Sequence, residues 1–377
     1  AIGCDSIATL NLTTNYIHPV LQELNVESGN MVIIASGDVM EVYNNVFIDS
    51  KGKLIINSDA SKSGSLLVTG AVSGDITYNR HIDDTNWHVV SAPVTTESIP
   101  DFVANPGNSV NTSGNKFAVS YYKNSNTAGK RWTYHSSAPS GENEEALTAF
   151  TSGLGYSMNR TAAGIFSFNG AMATADVTVP LATASGTHYW HSVGNPFPSF
   201  LPVNDDANVT NVIGQNTAAF APSFEALYVW DGAGFVPKNK ADTGAFYLAP
   251  GQAFLVRAKD NNQSFVFTES LVSHQSGNDS FARSSSKVPS IVVQLSNGSE
   301  SKKTTLKYFA NTTTGLDIGY DAGTYRDGTP NLSIDTHLVK DSQGIDFMLQ
   351  CLPTEQYESI TVPLAVRAAA NETLTFS

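Results

Sequence analysis

The sequence predicts an all-β protein, and three observations support this prediction. Thr, Val, Tyr and Phe are plentiful, whereas the helix formers Glu, Lys, Arg and Met are scarce. Asn, Ser and Thr make up 106 of the 377 residues, and charged residues only 15%. Short apolar runs recur between turn-forming Gly, Asn and Ser residues. A single short window, residues 143–150, favours a helix. The length suggests two or three domains.

Residues 1–79 are expected to form an N-terminal strand followed by a short β-solenoid. Between Met31 and Tyr78, apolar pieces recur every six to twelve residues, with Gly and Asn between them. Strands so short, with turns so regular, are typical of the stacked coils of a solenoid or of a meander of hairpins. We favour the solenoid, and the meander remains the alternative.

Residues 80–272 contain longer, aromatic-rich strands that predict a central antiparallel β-sandwich. Alternating pairs such as Trp132 with Tyr134 fit half-buried strands. Residues 273–289 are rich in Ser and have no periodicity, which predicts a linker. Residues 290–377 hold a third set of strands of immunoglobulin (Ig) domain size, and an Ig-like β-sandwich is expected there.

The charge distribution argues against two classes of partner. The chain carries a net charge of −13 and has no basic stripe that could neutralise phosphates, so nucleic-acid binding is not expected. It also has no uncharged apolar run of about 18 residues, the length that a membrane-spanning helix needs. We therefore expect no membrane insertion.

Four motifs, together with the C-terminal module, resemble a family of secreted Bacteroidota proteins exported by the type IX secretion system. The motifs occur in the same order and spacing as in that family. They are Asn86–Val94 (NWHVVSAPV), Val193–Ser199 (VGNPFPS), Tyr228–Gly232 (YVWDG) and Leu248–Val256 (LAPGQAFLV). The module runs from Ile291 to the end and contains Gly315–Asp321 (GLDIGYD). The resemblance implies a cell-surface or adhesin-like protein with no assigned chemistry.

The sorting domain that usually ends such proteins, with its Lys-Gly-rich signature, is absent from the sequence. Either it was cleaved on secretion or the chain given stops before it. The first residue is Ala, and no leader precedes it, as in a mature secreted chain or a trimmed one. We expect a secreted protein, located in the extracellular space or on the outer cell surface.

No catalytic motif is recognisable, and no catalytic or cofactor-binding residue is predicted. The sequence lacks a Gly-x-Ser-x-Gly elbow, a phosphate-binding loop and a His-Glu-x-x-His pair. Acidic pairs such as Asp83-Asp84 and Asp205-Asp206 would suit calcium, but the spacing of an EF-hand loop is absent. We expect a protein that is not an enzyme, without a cofactor, and calcium is the one metal that the sequence leaves open.

Four aromatic residues of the central region are candidates for stacking on sugar rings: Trp132, Tyr134, Tyr189 and Trp190. The alternative is that these side chains fill the core of the predicted sandwich, since sandwiches bury their aromatics. The two cysteines, Cys4 and Cys351, lie near opposite ends of the chain and either form a disulfide or are unrelated thiols.

The end of the chain suggests self-assembly. Ile360–Val366 and Thr373–Phe376 are predicted strands, and the resembled family usually continues beyond them. An incomplete sandwich would leave an open sheet edge that accepts a strand from another chain. An alternating N-terminal stretch would supply that strand through Ile7, Thr9, Leu10 and Leu12. Such head-to-tail donation does not close, so it builds a fibre. The alternative is that further residues complete the module.

Together these observations predict a non-catalytic structural or adhesive protein of the cell surface. Its expected partners are other copies of itself or extracellular glycans. The alternative function is that of a glycan-binding module or of the non-catalytic part of a polysaccharide-degrading enzyme.

Overall fold

A computed structural model describes residues 20–182, 188–275, 288–357 and 359–377. These residues form many short strands and little helix, so the predicted all-β class is confirmed. The two α-helices are α1 (Ile99–Ala104) and α2 (Val212–Asn216). The short 3-10 turns are Pro106–Asn108, Thr217–Ala219, Pro222–Phe224, Glu269–Leu271 and Thr354–Gln356.

The helix predicted at residues 143–150 is wrong. Glu144 and Glu145 extend alongside a neighbouring strand, and the carbonyl of Asn143 accepts a hydrogen bond from the backbone N–H of Tyr134. Lys116 and Lys123 pair with the two glutamates. Pairing with distant residues therefore overrides the local helix propensity of this glutamate-rich window.

The N-terminal strands wind three times through the same three parallel sheets. Val20 lies beside Glu41, and Val46 lies beside Val72, so one coil takes 21 to 26 residues. Because a hairpin turn joins antiparallel strands, this geometry is that of a short β-solenoid and not of a meander. The sheets are β1-β4-β7, β2-β5-β8 and β3-β6-β9. The strands are β1 (Val20–Leu21), β2 (Leu24–Val26), β3 (Met31–Ile34), β4 (Val39–Val42), β5 (Val46–Ile48), β6 (Lys53–Asn57), β7 (Ser65–Val68), β8 (Val72–Ser73) and β9 (Ile76–Ile82).

Glycines at the corners let one coil lie directly on the next. A Cβ on Gly52 would approach the carbonyl oxygen of Val26 to 2.4 Å, and a Cβ on Gly70 would approach that of Asn44 to 2.3 Å. Both carbonyls belong to the preceding coil, so only glycine fits. The regular glycines that predicted a solenoid are therefore the positions where coils touch.

The solenoid continues into the central region without a break in its core. β9 crosses the predicted domain boundary between residues 79 and 80. The later strand at residues 164–170 pairs with β9 in the antiparallel direction along its whole length. Phe102, Phe166 and Phe168 join the apolar interior of the coils in one hydrophobic cluster. A strand from the central region thus covers the open edge of the last coil.

The central region contains several small sheets. Its strands pair in the antiparallel direction, as expected from the sequence, except for β13 and β14, which run parallel. These sheets do not form one two-layered sandwich. The sheets are β10-β15-β12-β13-β14 with β11 on β12, then β17-β24, β18-β23-β20-β21 and β19-β22, while β16 extends the solenoid sheet. The first seven strands are β10 (His88–Val90), β11 (Thr112–Ser113), β12 (Lys116–Tyr122), β13 (Trp132–Ser136), β14 (Glu144–Glu145), β15 (Tyr156–Met158) and β16 (Gly164–Gly170). The others are β17 (Val177–Leu181), β18 (Trp190–Gly194), β19 (Leu201–Pro202), β20 (Leu227–Trp230), β21 (Phe235–Lys238), β22 (Tyr247–Leu248), β23 (Ala253–Arg257) and β24 (Gln263–Phe267).

The C-terminal strands form one mixed sheet, in the order β30-β28-β29-β26-β25-β31, with β27 also on β29. β26 and β29 run parallel, whereas an Ig-like sandwich consists of two antiparallel sheets. The Ig-like prediction therefore fails at this pair. A long connection separates the two strands, and such a connection permits parallel pairing. The strands are β25 (Ser290–Ser296), β26 (Ser301–Phe309), β27 (Ala322–Gly323), β28 (Ser333–Thr336), β29 (Phe347–Pro353), β30 (Leu364–Arg367) and β31 (Thr375–Phe376).

Polar contacts join the central and C-terminal regions. The Tyr228 hydroxyl donates a 2.6 Å hydrogen bond to the carbonyl of Gly323, and the Arg131 guanidinium pairs with Asp327. Lys307 donates to the carbonyl of Ala241 at 2.8 Å. Residues 276–287 of the predicted linker lie outside the described residues, but Ser273, at its start, exchanges backbone hydrogen bonds with Phe200.

Candidate functional site

The outer face of β13 carries two of the predicted sugar-stacking residues. Trp132 and Tyr134 alternate with the buried Thr133 and His135, so the two rings share one half-exposed face of the strand. Trp132 meets the ring of Tyr122 edge to face at 5.1 Å. The predicted alternation of residues along β13 is therefore present, and its aromatic residues lie on the more exposed face of the strand.

A third aromatic side chain, Trp87, completes this face. It is 38% exposed and lies 5.9 Å from the Tyr134 ring, in an edge-to-face arrangement. Lys116 approaches the same tyrosine and forms a 3.0 Å ion pair with Glu144. Exposed rings beside charged side chains offer both stacking and hydrogen bonding to a polar ligand. We call Trp87, Trp132 and Tyr134 the aromatic face.

The sequence analysis placed Trp87 in the motif Asn86–Val94 and missed its position on this face. Trp87 directly precedes β10, and its exposure depends on the register of β10 against β15. No local pattern around the residue reports that pairing. Its position beside an alternating aromatic strand became visible only once the sheet was known.

Trp190 was wrongly predicted as a sugar platform. Its side chain is 4% exposed and packs edge-on against Phe224, Tyr228 and Tyr325 at 4.8–5.6 Å. A buried ring has no free face for a sugar. Its neighbour Tyr189 is half-buried against the core of the central region. The core interpretation therefore holds for Trp190.

A polar cluster lies beside the Trp190 core. The Tyr122 hydroxyl is 2.7 Å from Nε2 of His188 and 3.2 Å from the Tyr325 hydroxyl. Burial, together with the nearby Arg131 charge, lowers the pKa of His188 to about 4. The imidazole is therefore neutral near pH 7 and serves as a hydrogen-bond partner at the joint with the C-terminal region.

The edge of β25 is the second candidate surface. Gln294 exchanges backbone hydrogen bonds with Ser377 on the side of β25 that faces away from β26. Hydrogen-bonding direction alternates along an antiparallel strand, so the N–H and C=O groups of Ser290 and Val292 point the same way as those of Gln294. Within the described ranges, no strand pairs with them there. We call residues 290–293 the open edge.

Two side chains of the open edge, Ile291 and Val292, are apolar and exposed. Val292 is 50% exposed, and Ile291 is exposed to nearly the same extent. Natural sheets usually protect such edges with charges, prolines or covering segments. Exposed apolar residues along an open strand edge are typical of a surface that accepts another strand.

Residues 5–377 match the model of a protein family described as a domain of unknown function, DUF8693. The chain belongs to this family. No curated protein and no solved structure matches it significantly. The description of the DUF8693 family assigns no function, so the resemblance to type IX secretion substrates stays a prediction.

The residues predicted to donate a strand, Ile7, Thr9, Leu10 and Leu12, lie outside the described residues of this DUF8693 chain, as does Cys4. Cys351 is a free thiol with no solvent exposure, and its Sγ donates to the carbonyl oxygen of Tyr320 at 3.3 Å. Burial raises the pKa of this thiol well above its ordinary value. A bridge to Cys4 would first require Cys351 to be uncovered, and the pairing stays a prediction.

In the described parts of the chain, no group of three or more His, Cys, Asp or Glu side chains is placed to hold a metal ion, and calcium binding stays a prediction. Among the same residues, no helix is both long and apolar enough to cross a bilayer.

Proposed function

We propose that this protein is a non-catalytic structural or adhesive component of the cell exterior, and that it assembles through the open edge. The observation that carries the proposal is the edge of β25 at residues 290–293 that faces away from β26, which no other described strand pairs, with Ile291 and Val292 exposed along it. An open strand edge of this kind offers backbone donors and acceptors to another chain.

The occupant that we propose is the segment Ile7–Leu12 of a second copy. Its alternation places Ile7 and Thr9 on one face and Leu10 and Leu12 on the other, as an added strand requires. Nineteen residues precede Val20, enough chain to reach up to about 60 Å. Donation from one copy to the next is heterologous and leads to an open fibre.

The contacts between regions suit a load-bearing role. The solenoid shares one hydrophobic cluster with the central region. The central region shares another with the C-terminal sheet, through Trp190, Tyr228 and Leu349. Large apolar interfaces hold the parts of a chain in fixed orientations. A secreted location, as the resemblance implies, would place this rigid unit at the cell surface.

Deletion of residues 1–14 tests the proposed strand donor. Intact protein is expected to form fibres or large particles by negative-stain microscopy, and the truncated protein is expected to remain monomeric by light scattering. If the truncated protein assembles as the intact protein does, strand donation is wrong. If the intact protein stays monomeric at high concentration, the self-assembly proposal is wrong as a whole.

Glycan binding is the second candidate function, and the neighbouring rings of the exposed Trp87 and the half-exposed Tyr134 are the observation that favours it. Stacking on these rings predicts glycan-array binding that disappears in Trp87→Ala and Trp132→Ala. Tyr43→Ala is the matched control, since Tyr43 is an exposed aromatic on the solenoid. Array signals that persist in both tryptophan variants, or no signal for the intact protein, would argue against this function.

A further inference from the structure

A polar cleft of 490 Å³ lies between the solenoid and α1. Its walls come from the start of β9, the end of β16 and the loop that leads into α1. The polar residues of its lining include Asp75, Thr77, Glu97, Asp101, Asn105 and Asn169. A cleft of this volume is within the range that binds small molecules.

The loop that presents Glu97 is held tightly on both sides. The backbone N–H of Thr95 donates to the carbonyl of Ala171 at 2.7 Å, and that of Phe150 donates to the carbonyl of Glu97 at 2.9 Å. Between these bonds, Thr96 has a φ of 68°, a left-handed conformation that a β-branched residue rarely adopts. Strain of this kind persists only where surrounding contacts enforce it, and it often occurs at ligand sites.

Five carboxyl groups are buried in the described chain, and among them only Glu97 has neither a cationic partner nor a second hydrogen bond. Three of the others have a cationic partner: Asp242 with Lys238 and Lys307, Glu225 with Lys240, and Asp335 with Arg326. The fourth, Asp321, accepts two backbone N–H groups.

The Glu97 side chain is 9% exposed and makes a single hydrogen bond, in which Oε2 accepts from the N–H of Asn169 at 3.0 Å. Its other oxygen has no hydrogen-bond partner among the described residues, and the Glu97 side chain lines the cleft. Burial, and to a lesser degree the charge of Asp101, raise the pKa of Glu97 to about 8. Unlike three of the other buried carboxyl groups, Glu97 has no cationic partner among the described residues.

The lining of the cleft shows which cation fits. It contains three carboxyl groups, those of Asp75, Glu97 and Asp101, and no Lys, Arg or His. In the described residues, no three such groups are close enough to enclose a metal ion. A cation that brings its own hydrogen-bond donors meets both conditions.

We propose that this cleft binds a primary ammonium group of an organic ligand, which pairs with the carboxylates of Glu97 and Asp101. The ammonium has three N–H donors and no acceptor, and the Thr77 hydroxyl and the Asn105 amide oxygen are further acceptors in the lining. Glu97 releases its proton to solvent when the ion pair forms. Two sources carry this chemistry, an amino sugar and a lysine side chain.

Calorimetric titration with three probes distinguishes these sources. The probes are D-glucosamine, N-acetyl-D-glucosamine and Nα-acetyl-lysine methylamide. We expect binding of glucosamine, of the lysine amide, or of both, and at least tenfold weaker binding of N-acetylglucosamine, which has the same ring without the ammonium. Equal binding of the two sugars, tighter binding of calcium or magnesium chloride than of either amine, or no binding of any amine would overturn the proposal.

Two variants and a control locate the site. Glu97→Gln keeps the shape of the neutral acid and removes the ion pair, so it is expected to weaken amine binding at least tenfold, and Asp101→Asn is expected to weaken it less. Glu27→Gln removes the same charge from an exposed position on the solenoid and is expected to change nothing. Amine binding that is unchanged in Glu97→Gln would contradict the assignment.

The pH dependence gives an independent readout. The lysine ammonium loses its proton only near about pH 10.4, so Glu97 dominates the titration between pH 6 and 9. Affinity for the lysine amide is expected to rise by up to tenfold per pH unit towards pH 8 and then to level off. A flat profile in the wild-type protein would contradict the role of Glu97.

Discussion

Gln294 and Ser377 exchange two backbone hydrogen bonds, of 2.9 and 3.0 Å, and this pair marks the point where the edge of β25 changes from paired to open. On the chain-terminal side, β31 covers the strand through Leu295 and Ser296. On the other side, residues 290–293 have no partner on that edge within the described residues. The proposed assembly depends on this difference between the two halves of one strand.

Trp190 and Trp87 are expected to differ sharply in their effect on stability. Trp190→Ala removes a buried ring with three edge-on aromatic contacts and is expected to cost about 3–5 kcal/mol of the free energy of unfolding. Trp87→Ala removes a partly exposed ring and is expected to cost about 1 kcal/mol or less. Urea denaturation measures both. Equal losses for the two variants would contradict the assigned burial.

Tyr228→Phe tests the joint between the central and C-terminal regions. The variant removes the hydroxyl that donates to the Gly323 carbonyl and leaves that acceptor buried without its donor. The expected loss is about 1–3 kcal/mol of the free energy of unfolding. Tyr43→Phe removes an exposed hydroxyl and serves as the control. If both substitutions leave the urea midpoint unchanged, the hydrogen bond does not stabilise the joint.

Glu97→Gln is expected to stabilise the protein by an amount that grows as the pH rises above about 4.3. The folded pKa of Glu97 is about 8, above the unfolded value of about 4.3, so the folded state holds a proton that the unfolded state has lost. Stability therefore falls as pH rises from about 4.3 to about 8, and the variant lacks this loss.

Urea midpoints at pH 4 and pH 9 measure this effect. The variant and the wild type are expected to have similar midpoints at pH 4, and the variant is expected to have the higher midpoint at pH 9. The control Glu27→Gln is expected to follow the wild type throughout. A lower midpoint for Glu97→Gln at pH 9 would mean that the ionised carboxylate stabilises the fold.

Cys351 is expected to resist alkylation in the folded protein. Its thiol is fully buried, and its raised pKa leaves little of the reactive thiolate. Iodoacetamide followed by mass spectrometry should label Cys351 only after unfolding in urea. Rapid labelling of the native protein would contradict the burial. A residue that stays unlabelled even in urea, and becomes labelled after reduction, would instead reveal the disulfide with Cys4.

Local sequence patterns predicted the features that depend on local structure. The rhythm of short strands and glycines indicated stacked coils, because Gly52 and Gly70 are required wherever one backbone lies on another. The alternation of Trp132 and Tyr134 likewise indicated one shared face. These signals are contained within a few residues, so they can be read without a structure.

Features set by distant pairing could not be read in this way. The parallel contact between β26 and β29, and the pairing of β16 with β9, join residues far apart in the chain. Trp87 and Trp190 occur in similar Trp-His dipeptides, yet one is exposed and the other buried. The difference comes from Phe224, Tyr228 and Tyr325, which reach Trp190 from other elements. The same limit applies to Glu97, because its lack of a cationic partner depends on where the fold places the lysine side chains.

The most direct test of the central claim is the assembly state of Val292→Lys. This substitution places a charge at the open edge of β25, where the side chain is already half exposed, so the fold should persist. Val209→Lys is the control, because Val209 is 87% exposed and belongs to the loop before α2 and not to β25. Light scattering and negative-stain microscopy are expected to show fibres for the wild type and for Val209→Lys, and monomers for Val292→Lys. Fibres of unchanged length and yield in Val292→Lys would contradict assembly through this edge.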